Sequence, residues 1–191
     1  MISLEPSYFE TITRAAVDFH VRMSGFAVIN EGFLRDWFAV NIHREGGYVV
    51  NIEVTSTQFR NWYNVSEPLK DGRIDAIISE PKDNPNDASP LAIIEFKMAN
   101  QLRKIESDIR RTSRLLTLLP GVAGYQVICT TDDSWDSQIR VDKAANDVCG
   151  LAARLHPHCE PAAQFRIFSV KFPENRLVWF ASVIITVFPF Q

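Results

Sequence analysis

Residues Gly72–Met98, GRIDAIISEPKDNPNDASPLAIIEFKM, hold the pattern on which the fold turns. Two short apolar runs, Arg73–Ser79 (RIDAIIS) and Leu91–Lys97 (LAIIEFK), flank a stretch dominated by Pro, Asn and Asp. Runs this short and this rich in isoleucine read as strands. The insert, Glu80–Pro90, reads as a loop, because its residues favour turns over ladders. The second run turns charged at its end, as a central strand does when it emerges at a site. If the two strands pair antiparallel through the loop, Asp75 comes beside Glu95. Residues i and i+2 of a strand face the same way, so Glu95 and Lys97 project side by side.

Upstream, Ser7 to about Met23 is a helical run, punctuated by Ser24-Gly25. A second helix is expected from Ile29 to about His43. There Ile29, Phe33, Leu34, Trp37, Phe38 and Val40 recur at helical spacing, and Gly46-Gly47 stops it. Tyr48–Thr55 (YVVNIEVT) alternates and is a strand. Downstream, Asn100–Leu119 is helical, with Leu102, Ile105, Ile109 and Leu116 as its apolar stripe, and Pro120-Gly121 ends it. Tyr125–Thr130 is a strand and Val141–Leu155 a helix. Two late strands, Phe165–Lys171 and Leu177–Val187, close the chain. This order predicts an α/β (α+β) domain with a mixed central β-sheet flanked by helices. At 191 residues one domain over 1–191 is expected, its core at about 29–130 and the elements of 140–190 completing the sheet.

The totals suit a globular chain: apolar residues make up 46% and charged residues 23%, enough for a full core. A net charge of −3 excludes a surface that is basic all over, though a local basic face could still meet nucleic acid. Three cysteines without framework spacing (Cys129, Cys149, Cys159) imply reduced thiols and a cytoplasmic location. The N-terminus shows no signal peptide. Leu177–Phe190 (LVWFASVIITVFPF) is the most apolar stretch. It falls short of the ~20 residues that a membrane-spanning helix needs and is β-branched, so a buried strand, or two short ones, is expected and no membrane partner.

Asp75, Glu95 and Lys97 together have a chemical purpose. Two carboxylates on adjacent strands bind a hard divalent cation through oxygen and leave positions for water and phosphate. The backbone carbonyl of Phe96 is a natural further ligand. The Lys97 ammonium can orient an attacking water and offset charge on the phosphorane oxygens. The bland alternative is a set of strand-end charges forming an ordinary ion pair. Against it, Glu95 follows Ile93-Ile94 in a run that looks buried on both faces, where an unpaired charge is costly.

At these residues the sequence resembles the PD-(D/E)XK nuclease superfamily. Asp75 matches its first acidic element, Glu95-Phe96-Lys97 matches (D/E)-x-K, and the helix near Asn100 and strand Tyr125–Thr130 follow in the family's order. The resemblance spans roughly Ile29 to Thr130. Ile74 stands where the name-giving proline would be. The resemblance implies a restriction-endonuclease-like α-β-β-β-α-β core and a nuclease dependent on Mg²⁺ or Mn²⁺ that cleaves nucleic acid, with DNA the first expectation and RNA left open. Asp75, Glu95 and the Phe96 carbonyl would hold metal, and Lys97 would position water. The family often adds a glutamate from the helix before the sheet; Glu31 is the first candidate, with Glu45 and Glu10 as alternatives. Gln101 stands where some members place a polar helix residue facing the site. Such small nucleases often act as homodimers. A non-catalytic binding module on the same fold, an immunity or assembly protein, is the rival reading, and a delivered toxin a third.

The helix after E-x-K carries five basic residues against Glu106 and Asp108. Arg103, Ser107, Arg110 and Arg114 share one face that could track a phosphate backbone. Lys104–Asp108 and Glu106–Arg110 are equally readable as ordinary i,i+4 pairs. Gln58–Tyr63 (QFRNWY) could stack a base, but such residues more often cover a sheet edge or form an interface. His156-Pro157-His158-Cys159 with Cys149 suits no common zinc module. Nothing resembles a phosphate-binding glycine loop.

Overall fold

The computed structural model describes residues 4–24, 29–66, 72–81, 89–132, 137–161, 166–171 and 177–190. Most of the loop expected at Glu80–Pro90 therefore lies outside the described residues, as do Gly25 of the first helix stop and Phe165 at the start of a late strand.

The two isoleucine-rich runs are neighbouring antiparallel strands. They are β2 (Arg73–Ser79) and β3 (Pro90–Met98), registered through Ala76↔Ile94 and Ile77↔Ile93. On the outer side of β2 lies β1 (Val49–Thr55), also antiparallel. On the other side of β3 lies β4 (Ala123–Asp132), and this pairing is parallel. A parallel neighbour needs a crossover, and the amphipathic helix α4 (Leu102–Leu118) supplies it. The long strand β7 (Leu177–Val187) runs antiparallel to β4. Its far side pairs with β5 (Cys159–Pro161) and β6 (Arg166–Lys171). The result is one mixed seven-stranded sheet, β1-β2-β3-β4-β7-β5 with β6 on β7.

Helices cover both faces. On one, α1 (Pro6–Ser24) and α2 (Glu31–Gly46) bury Phe9, Val17, Leu34 and Phe38 against Ile78, Ile94, Phe96 and Val127. The Phe38 and Phe96 rings meet edge-on at 5.0 Å. Each such fully buried side chain contributes roughly 1.5–3 kcal/mol. On the other face, α3 (Ser56–Tyr63), α4 and α5 (Ser137–Arg154) bury Phe59, Ile105, Ile109, Val141 and Val148 against Ile77, Ile93 and Ile128. The apolar C-terminal run is the buried strand β7, and among the described residues no helix is long and apolar enough to cross a membrane.

Helix α2 starts at the Asn30 cap, whose side chain accepts from the Phe33 N–H, and stops at Gly47, left-handed at φ 70°. Segment 58–63 is part of α3, whose Phe59 packs with Val54 of the edge strand β1 and Ile74 of β2. The Thr55 hydroxyl accepts from the Gln58 N–H, and the Gln58 side chain accepts from the Thr55 N–H. This capping box satisfies the first amides of a helix too short to show periodicity. The pattern Thr-x-x-Gln at residues 55–58 was its only sequence signal.

Candidate functional site

The ladder between β2 and β3 reaches Ala76↔Ile94 and then opens into a fork. Beyond it the Phe96 N–H donates to Asp75 Oδ2 at 2.8 Å, so a carboxylate replaces a ladder carbonyl. The β1–β2 ladder keeps its register but skips one pair at the same level: Ile52 pairs with Ala76 and Val54 with Ile74, while Glu53 between them, opposite Asp75, adopts φ 51°. A left-handed glutamate is held only where its surroundings fix it. Here Arg35 and Arg73 grip its carboxylate at 2.5 and 2.7 Å. The irregularity of both ladders thus coincides with Asp75.

Lys97 projects from β3 on the face covered by α4, and its ammonium lies among carboxylates. Nζ donates to the Phe96 carbonyl at 2.8 Å and stands 3.2 Å from Asp108, 3.4 Å from Asp75 and 3.6 Å from Glu31. Glu95 is fully buried, and Arg111 of α4 reaches its Oε1 at 2.6 Å while touching Asp108 at 3.1 Å. Gln101 donates to Glu31 at 2.6 Å, tying the start of α2 to the start of α4. Four carboxylates (Glu31, Asp75, Glu95, Asp108) thus surround two cations (Lys97, Arg111).

Burial pushes the Glu95 carboxyl well above the usual range; Arg111 opposes this, and Asp75 and Asp108 add to it. Burial alone would lower the Lys97 ammonium, but Asp75, Asp108, Glu95 and Glu31 more than offset it and raise it. Lys97 is therefore charged at neutral pH, a donor and counter-charge rather than a base. Arg111 is raised by Glu95 and Asp108 against the same burial effect.

The residues expected from sequence, Asp75, Glu95, Lys97, Glu31 and Gln101, come together in this cluster. Of the alternative glutamates, Glu45 instead accepts a hydrogen bond from Tyr8 at 2.9 Å. Arg103, Arg110 and Arg114 lie on one exposed face of α4, and Arg110 pairs with Glu106 at 3.0 Å as an i,i+4 pair. The companion pair expected between Lys104 and Asp108 is corrected. Asp108 is buried and turns inward onto Lys97 and Arg111, because it sits on the helix face that carries Ile105 and Ile109. Asp108 and Arg111 were missed as site residues. An acid spaced three from Ile105 on an amphipathic helix was the available signal.

No protein-family model, curated protein or solved structure matches the chain.

Among the described residues, no group of three or more His, Cys, Asp or Glu side chains is arranged to hold a metal ion. That holds for the His156–Cys159 segment too, where His158 stacks on Phe190 at 4.7 Å and the Cys159 thiol faces the Ala152 carbonyl. In the fork the carboxylates are turned onto Lys97 and Arg111. Their donor set nonetheless suits a hard cation: every donor is oxygen, and acids outnumber bases by two. Glu95 Oε2 is also buried with no hydrogen-bond partner. Such an oxygen is satisfied by a donor or a cation.

Proposed function

We propose that the protein is a metal-dependent nuclease that hydrolyses phosphodiester bonds of nucleic acid, with DNA as the expected polymer. The observation that carries this reading is the strand fork. It gathers Asp75, the buried Glu95, the Phe96 carbonyl and a protonated Lys97 within one cluster. The strand order and the α-β-β-β-α-β succession of α2, β1, β2, β3, α4 and β4, with α3 inserted, agree with the PD-(D/E)XK resemblance.

In this reading Asp75, Glu95 and the Phe96 carbonyl hold Mg²⁺ or Mn²⁺. The ion when bound supplies Lewis acidity and a water of lowered pKa. Lys97 orients the attacking water and offsets charge on the phosphate oxygens. Glu31, held by Gln101, adds a carboxylate at the rim. Arg103, Arg110 and Arg114 contact successive phosphates along α4. The cysteines Cys129, Cys149 and Cys159 are free thiols, in keeping with a cytoplasmic protein. A homodimer would bring two sites to two strands.

One observation favours a second reading, a non-catalytic binding module. Lys97 and Arg111 already neutralise half of the acidic charge, so the cluster could serve as a buried polar network alone. Cleavage of labelled single- and double-stranded DNA and RNA separates the two. With Mg²⁺ or Mn²⁺ the wild type is expected to cut, and with EDTA or as Glu95→Ala it is not. A folded protein that cuts no polymer under any of these conditions would establish the second reading.

A further inference from the structure

Gln126 of β4 is fully buried, and neither its amide nitrogen nor its amide oxygen has a hydrogen-bond partner. A buried amide with both ends unengaged is expensive, on the order of 1–3 kcal/mol from mutational experience, and core positions rarely keep one without a reason. Its position supplies the reason. In the parallel ladder Gln126 stands directly opposite Glu95. It shares a sheet face with Gly124 and Ile128 on its own strand. Ile128 belongs to the cluster under α4, and a Cβ on Gly124 would meet Thr112 and Leu116 of that helix. Gln126 is thus enclosed between Glu95 and α4. Glu95 Oε2 and the Thr112 hydroxyl are likewise buried and without a partner.

A carboxylate that ligates a metal through one oxygen needs a donor on the other, and such outer partners typically change metal affinity 10–100-fold. Two donors flank Glu95. Arg111 approaches from the solvent side and is shared with Asp108. Gln126 lies wholly inside. We infer that Gln126 is the positioning residue for Glu95: its amide N–H, unengaged in this structure, is the donor that takes one Glu95 oxygen when the other turns to a divalent cation. The inference rests on the metal-binding reading of Asp75 and Glu95.

Stability and metal binding separate this role from a merely structural one. Mn²⁺ binding would be measured by electron paramagnetic resonance of the free ion, with melting temperature recorded alongside, for wild type, Gln126→Met and Gln126→Asn. Replacing an unsatisfied amide by Met is expected to leave the melting temperature unchanged or higher, yet weaken Mn²⁺ binding on the order of 10–100-fold. Asn, which keeps the amide one methylene shorter, is expected to fall between. Should Gln126→Met not fold, Gln126→Leu is judged by the same criterion. Mn²⁺ affinity within twofold of wild type in the folded variant would overturn the positioning role and leave the nuclease reading standing. A wild type that binds no Mn²⁺ would overturn both.

Discussion

Lys97 and Arg111 are each held in low-dielectric surroundings by acids that would be untenable without them. Lys97 faces three carboxylates and remains charged, so its removal is expected to spare metal binding and abolish turnover. Lys97→Ala should keep the Mn²⁺-induced rise in melting temperature while kcat drops at least about 100-fold. Turnover equal to wild type would refute the role assigned to this lysine. Arg111 is the charge partner of a fully buried carboxylate. Arg111→Ala should lose about 2–3 kcal/mol in urea unfolding, below the range for a wholly buried pair because 33% of its side chain remains exposed. Adding Glu95→Gln should restore most of that loss, since the stranded charge is then gone. Glu95 also sets a pH dependence. Its native carboxyl titrates above the ordinary 4.5, so the folded protein retains a proton that the unfolded chain has released. The stabilisation from this group is complete below that ordinary value and is lost as pH rises toward the native one. In melts without metal, wild type should therefore lose stability relative to Glu95→Gln as pH climbs above 4.5 toward neutrality. Parallel profiles would mean that Arg111 compensates the burial fully.

At the scale of elements, the site depends on how closely α4 lies on β4. Gly124 permits that approach. A Cβ there would come within 2.5 Å of Leu116 Cδ1, 3.1 Å of Thr112 Cγ2 and 3.2 Å of the Val187 carbonyl. Leu116 can turn aside, but Thr112 and the backbone of β7 have little room. Gly124→Ala is expected to cost about 1–3 kcal/mol by overpacking. It should also weaken Mn²⁺ binding, since Asp108 and Arg111 ride on the same helix. An unchanged denaturation midpoint would show that α4 tolerates the shift. The elements differ in how plainly their sequences declare them. Strands β2, β3 and β7 are isoleucine- and valine-rich runs whose burial leaves one solution. Helix α3 is only eight residues long, and its evidence is a capping box rather than a stripe. The short strand β5 pairs with β7 through three residues and has no pattern of its own.

Over the whole molecule, a net charge of −3 coexists with an exposed row of Arg103, Arg110 and Arg114 on α4. Binding of DNA along that row should be salt-sensitive, because each neutralised phosphate releases counterions. With Lys97→Ala used to prevent cleavage, log affinity is expected to fall linearly with log salt. Adding Arg110→Ala should reduce the slope by about one. An unaltered slope would remove this face from the interface.

The sequence by itself determined the class of fold, because apolar runs of period two and 3.6 can bury their faces only as a sheet between helices. It also put Glu95 and Lys97 on one strand face and made Asp75 their neighbour on condition that the two strands pair as a hairpin. Only the tertiary structure decided what those residues face. Asp108, Arg111 and Gln126 lie 13 to 31 positions beyond Glu95 along the chain and join it through the crossover of α4 and the parallel register of β4. Register between strands that are distant in sequence is set by the packing of two whole helical layers. No local pattern of residues carries that information.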